Sequence, residues 1–204
     1  MASEDRLWNL NIRYHRVVLD AIPSGARTAL DVGCGDGLLT FDIAGQGLLV
    51  TGLDTDAASV RRAASDSRAS DTTRFVVGDL FSFLSEDGSF DLVASIAMLH
   101  HVDAEAGVRR MRELVRPGGV LAIVGFARPS GFGDRTRAIA GMALKRSAQL
   151  RGRYWEHGAP VAWPPPLSRG RWPICSIESF PAQGFETCCR IATRQSGRGL
   201  SADG

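Results

Sequence analysis

Three glycines at alternate positions, Gly33, Gly35 and Gly37, follow a short apolar run carrying Asp31, and a helix-like segment begins directly after them in ALDVGCGDGLLT at 29–40. Glycines at this spacing remove the Cβ atoms that keep a ligand off the main chain. Backbone N–H groups at the start of a helix can then lie against a polar nucleotide cofactor. Carboxylates also end the next two apolar runs: Asp54 closes LLVTGLD, 23 residues after Asp31, and Asp79 closes FVVGD. An acid at the end of a second strand suits the acceptance of hydrogen bonds from ribose hydroxyls. Four histidines, His15, His100, His101 and His157, supply imidazoles for proton transfer.

The dinucleotide fingerprint G-x-G-x-x-G would place its third glycine at 38, where this chain has Leu38. The spacing D-x-G-x-G-x-G instead resembles motif I of the class I S-adenosylmethionine-dependent methyltransferases. The blocks SFDLVAS at 89–95, LHHV at 99–102 and LVRPGGVL at 114–121 follow in that family's order, so the resemblance covers residues 28–127. It implies S-adenosylmethionine as cofactor. By resemblance, Asp31 and the backbone of Gly33, Gly35 and Gly37 hold the methionine end, and Cys34 fills space beside the cofactor. Asp54, with its neighbour Thr55, holds the ribose, and Asp79 with the Leu80 N–H holds the adenine. Ser95 and Ile96, just past the fourth strand, face the methionine moiety and the methyl.

Methyl transfer from such a donor is an SN2 displacement, in which the protein mainly aligns the nucleophile with the methyl. A general base is needed only where the nucleophile must lose a proton; His101, His100 and His157 are the candidates. Tyr14 and His15 line an acceptor pocket from an N-terminal helix, with core packing of Tyr14 the alternative. Tyr154 and Trp155 open a segment rich in Trp and Pro, 154–166, which is either a substrate lid or a surface loop covering core. After the fourth strand stands SIAM at 95–98, not the N/D-P-P-Y/F motif of enzymes that methylate adenine or amide nitrogens in polymers, and no Pro-Cys nucleophile is present. The favoured acceptor is a small organic molecule methylated on oxygen, carbon or nitrogen. An RNA methyltransferase and a non-catalytic S-adenosylmethionine-binding module are the alternatives.

These groups need a scaffold that brings strand ends together. Strand patterns at 28–32, 48–53, 74–77, 90–95 and 120–126 alternate with helical patterns at 38–44, 57–68 and 103–115, with Asp103 as an N-cap. The alternation predicts an α/β fold, a Rossmann-like three-layer αβα sandwich on a mostly parallel sheet. A helix over ~5–21 precedes the first strand, and another runs from Asp134 to about Leu150. Only 183–193 reads as a sixth strand and no seventh follows it, which leaves the C-terminal strand pair incomplete. The expected organisation is one methyltransferase domain: an N-terminal helix (1–27), the cofactor-binding core (28–127), a helix and candidate lid (128–170) and an irregular C-terminus (171–204).

The 204 residues, 44% hydrophobic and 23% charged, suffice for one domain with a sizeable core. The N-terminus lacks a basic segment followed by an apolar one. The longest apolar runs, 92–99 and 120–127, fall far short of the ~20 residues that span a bilayer, so a cytoplasmic protein without membrane contact is expected. Cysteines at 34, 175, 188 and 189 show no C-x-x-C spacing, and no metal site is expected. Residues 1–127 carry 12 Arg against 17 acids, whereas 128–204 carry 12 Lys and Arg against 5 acids. A solvated basic face explains the second imbalance better than a nucleic-acid surface, and an anionic small substrate fits it too. Oligomeric state is not legible.

Overall fold

The structure is a computed structural model that describes residues 11–126, 146–147, 149–151, 177–178 and 186–192. Its sheet runs in the order β3-β2-β1-β4-β5-β7-β6, formed by β1 (Thr28–Val32), β2 (Leu49–Asp54), β3 (Thr73–Val77), β4 (Phe90–Ile96), β5 (Val115–Phe126), β6 (Ile177–Glu178) and β7 (Glu186–Ala192). The first five strands are parallel; β7 runs antiparallel to β5, and β6 pairs antiparallel with β7 and so shares the direction of the first five. Helices α1 (His15–Leu19), α2 (Leu38–Ala44), α3 (Ala57–Ala64) and α4 (Ala104–Leu114) flank them.

Side chains alternate across a strand, and here both faces are apolar. Leu30, Val32, Val93, Leu121 and Ile123 pack with Val108, Met111 and Leu114 of α4 on one face. Ala29, Leu92, Ala94, Val120 and Val124 pack with Tyr14, Val18, Leu39 and Ile43 from α1, α2 and the turn before α1 on the other. That arrangement is the three-layer sandwich. Asp56 caps α3, and Asp103 caps α4 by accepting from the Ala106 N–H at 2.7 Å.

Strand order reverses between β1 and β4, because β2 and β3 extend the sheet one way and β5 the other. In open α/β sheets the crevice outside the strand C-termini at such a switch point is where ligands bind. At the opposite end, Asp91 fastens the start of β4 to the start of β1. Its Oδ2 accepts from the N–H groups of Arg27 (2.8 Å) and Thr28 (2.9 Å) and the Thr28 hydroxyl (3.1 Å), and its Oδ1 pairs with Arg116 at 2.8 Å. Burial alone would raise this carboxyl, but those donors together hold it below the usual range.

Several boundaries differ from the sequence reading. The closing strand pair is present: β7 pairs with β5 from Val120↔Ala192 to Phe126↔Glu186, and the two-residue β6 pairs with β7. A two-residue strand carries no readable periodicity. RPGG at 116–119 lies within β5, as an irregularity between the pairs Phe90↔Val115 and Leu92↔Val120. A Cβ at Gly119 would come within 2.8 Å of the Asp91 carbonyl, so the chains touch there. Among the described residues the first helix is a 3-10 turn (Ile12–Tyr14) leading into α1, which ends at Leu19, and α3 stops at Ala64 rather than 68. The helix from Asp134 lies outside the described residues apart from helical positions at 146–147 and 149–150. No helix among the described residues is long and apolar enough to cross a membrane.

Candidate active site

The glycine loop leaves β1 and is held by β2. The Gly33 and Cys34 N–H groups both donate to the Leu53 carbonyl, at 2.8 and 3.1 Å, and the Gly37 N–H donates to the Cys34 carbonyl at 2.9 Å. The Gly35 N–H donates to Asp54 Oδ2 at 2.8 Å, while Asp54 Oδ1 accepts from the Asp56 N–H at 2.8 Å. A carboxylate has about four lone-pair sites. Asp54 therefore keeps acceptor capacity for a ligand while tying the two loops together.

The three glycines differ in what a Cβ at each would meet. A Cβ on Gly37 would strike the Phe75 ring at 2.8 Å, and one on Gly33 would strike Met98 at 2.8 Å; both are packing positions. Only Gly35, with φ of 52°, faces open space, with nothing within 4 Å of where a Cβ would stand. A cradle bounded by Gly35 and Asp54 fits a cofactor laid along the loop. Cys34 is buried beside Gly52, and burial pushes its thiol well above the usual range, which suits packing and excludes a nucleophile.

Asp31 is 1% exposed and accepts from the Thr40 hydroxyl at 2.7 Å. Burial pushes its carboxyl up to about 6; Thr40 and His15 partly offset this, and Asp54 adds to it. Asp79 stands past β3, half-buried, and accepts from the Phe81 N–H at 2.8 Å. The Leu80 side chain enters the core cluster against α4. Thr55 is exposed beside Asp54.

At the end of β4, the fully buried Ser95 donates from Oγ to the Val32 carbonyl at 2.9 Å, so its side chain joins β4 to β1 rather than facing a ligand. Ile96 is half-buried against the cluster on the α2 side. A 3-10 turn, Leu99–His101, then carries the histidine pair with ring centroids 3.9 Å apart. His101 is exposed; His100 is half-buried, and burial followed by the neighbouring His101 pushes it down to about 4, so it is a neutral imidazole at pH 7.

Tyr14 and His15 are each 7% exposed. Tyr14 packs in the core, and His15 Nδ1 lies 2.6 Å from Asp42 Oδ2 of α2. Tyr154, Trp155 and His157 lie outside the described residues. Sequence reasoning missed Thr40, Ala97 and Met98. For Thr40 the signal was a hydroxyl in the first turn of the helix after the glycines, within reach of Asp31. Ala97 has φ of 59°, a strain of about 1–3 kcal/mol for a residue with a side chain, and composition carries no trace of it.

Residues 30–123 match the methyltransferase domain family. An uncharacterized methyltransferase of Mycobacterium tuberculosis is 38% identical over 163 residues, 79% of this chain and 82% of the relative. The demethylmenaquinone methyltransferase of Beutenbergia cavernae is 36% identical over 129 residues, 61% of this chain and 49% of that protein. Among solved structures, the cyclase SpnF superposes with a TM-score of 0.55 at 24% identity, over 58% of this chain and 46% of that one, a likeness of fold.

Proposed function

The chain belongs to the class I S-adenosylmethionine-dependent methyltransferases, and from that membership we propose that it transfers the methyl to a small organic acceptor. When bound, the cofactor supplies a methyl carbon already activated by its sulfonium, so the protein's task is binding and alignment. The observation that carries the reading is the cradle at Gly35, open where a Cβ would stand and bounded by an Asp54 carboxylate with lone pairs to spare.

In this reading Asp54 accepts from the ribose hydroxyls, Asp79 stands at the adenine, and the Gly33–Gly37 loop lies along the methionine end. Asp31 acts behind the loop, holding the start of α2 through Thr40. His101, exposed at the end of β4, accepts the proton of an acceptor hydroxyl or amine where one must be lost, and neutral His100 packs against it. A small acceptor is supported by the Beutenbergia relative, which is named for demethylmenaquinone, a small molecule.

Incubation with methyl-labelled S-adenosylmethionine and a panel of hydroxyaromatic and amine acceptors, with structured RNA alongside, tests this. Label in a small acceptor is the expected result. Label in RNA, steeply dependent on salt, would replace the small acceptor with a polymeric one.

A further inference from the structure

Ala97 is the only non-glycine residue with a positive φ among the described residues. It follows β4 directly, at the same C-terminal end of the strands as Gly33, Asp54 and Asp79. Alanine gains nothing from this conformation, so its surroundings impose it. The Ala97 N–H donates to the Val124 carbonyl of β5 at 2.8 Å. Two residues earlier, Ser95 grips the Val32 carbonyl of β1. One residue later, Met98 lies so close to Gly33 that a Cβ there would meet Met98 Cβ and Cγ at 2.8 Å and its Cα at 4.0 Å. Gly33 is itself held by the Leu53 carbonyl of β2, and the His101 N–H donates back to the Met98 carbonyl at 2.9 Å. One left-handed turn thus joins the ends of four strands, the glycine loop and the histidine pair.

We propose that Ala97 is a positioning residue for methyl transfer: its left-handed backbone seats Met98 across Gly33, fixing one wall of the cofactor loop and the place from which the His100–His101 turn departs. This rests on the cofactor reading above. A strand that merely ended would need no such turn. A wall fixed before the ligand arrives spares the ordering cost of building it on binding, which is what makes local strain worth retaining at a site.

The test is calorimetric titration of full-length variants with S-adenosylhomocysteine, with thermal melting in parallel. Ala97→Val places a β-branched residue where left-handed backbone is strongly disfavoured, and should bind roughly tenfold more weakly than wild type. Ala97→Asn and Ala97→Gly, which tolerate that backbone, should retain wild-type affinity. Met98→Ala leaves the turn in place and removes the wall, so it should weaken binding severalfold. The inference falls if a folded Ala97→Val binds as wild type does, or if Ala97→Asn is as weak as Ala97→Val. Should Ala97→Val not fold, wild-type affinity in Met98→Ala overturns it. Wild-type protein that fails to bind S-adenosylhomocysteine overturns the cofactor reading itself, an outcome distinct from these.

Discussion

The Asp54 carboxylate accepts the Gly35 N–H at 2.8 Å, so the acid at the end of β2 and the most open glycine of the first loop form one unit. Removing that acid does two things at once. It takes away a ligand acceptor and releases the loop that the ligand must lie along.

Asp54→Ala should therefore weaken S-adenosylhomocysteine binding by about 1–3 kcal/mol, the scale for removing one partner of a polar pair that burial protects. Titration of wild type and variant at equal pH and salt measures it. Equal affinities would place the ribose elsewhere.

Gly35 and Gly37 separate binding from folding. Gly37→Ala combines a left-handed φ of 78° with a Cβ 2.8 Å from the Phe75 ring, so it should lower the melting temperature clearly. Gly35→Ala meets no atom within 4 Å and should fold with a smaller loss, on the scale of about 1–2 kcal/mol for the left-handed backbone, yet lose most of its cofactor affinity. The reverse pattern in melting and titration would mean that the cradle faces packing and not ligand.

The glycine spacing and the acids at 31, 54 and 79 were readable because close approach and strand ends leave a residue-type signature. Which glycine faces space was not readable, since that depends on Phe75 and Met98 arriving from β3 and the end of β4. Ser95 was expected at the ligand, yet its hydroxyl serves the Val32 carbonyl; serine is equally suited to either partner, and only the β1–β4 pairing decides. Of the closing strand pair, β7 lies within the strand read at 183–193, whereas β6 escaped notice because it is two residues long and earns its place from β7 alone.

Asp31 makes stability depend on pH in a known direction. Its carboxyl is raised by burial from 3.8 to about 6, so between those values the folded protein holds a proton that the unfolded chain has released. Its contribution is most favourable below about pH 4 and falls as pH rises through 6, by at most about 3 kcal/mol. Asp31→Asn, which keeps an acceptor for Thr40, should gain more melting temperature over wild type at pH 7 than at pH 4.5. His100 is pushed down to about 4 and acts in the opposite sense over the same window, so the difference between variant and wild type isolates Asp31. A gain independent of pH would show that Asp31 is not the group titrating.

Asp91 lies at the far end of the sheet and should affect folding alone. Asp91→Ala leaves the Arg27 and Thr28 N–H groups without their acceptor and Arg116 without its pair, which should cost about 2–3 kcal/mol in denaturant unfolding. Cofactor affinity of the folded fraction should be unchanged. A matching loss of affinity would show that the two ends of the β1–β4 pair are coupled.

The most direct test of the central claim is calorimetric titration of the wild-type chain with S-adenosylhomocysteine, with NADH as control. The account predicts micromolar binding of S-adenosylhomocysteine and none of NADH, because Leu38 stands where the dinucleotide fingerprint needs its third glycine. A cooperatively melting protein that binds NADH and not S-adenosylhomocysteine would contradict it.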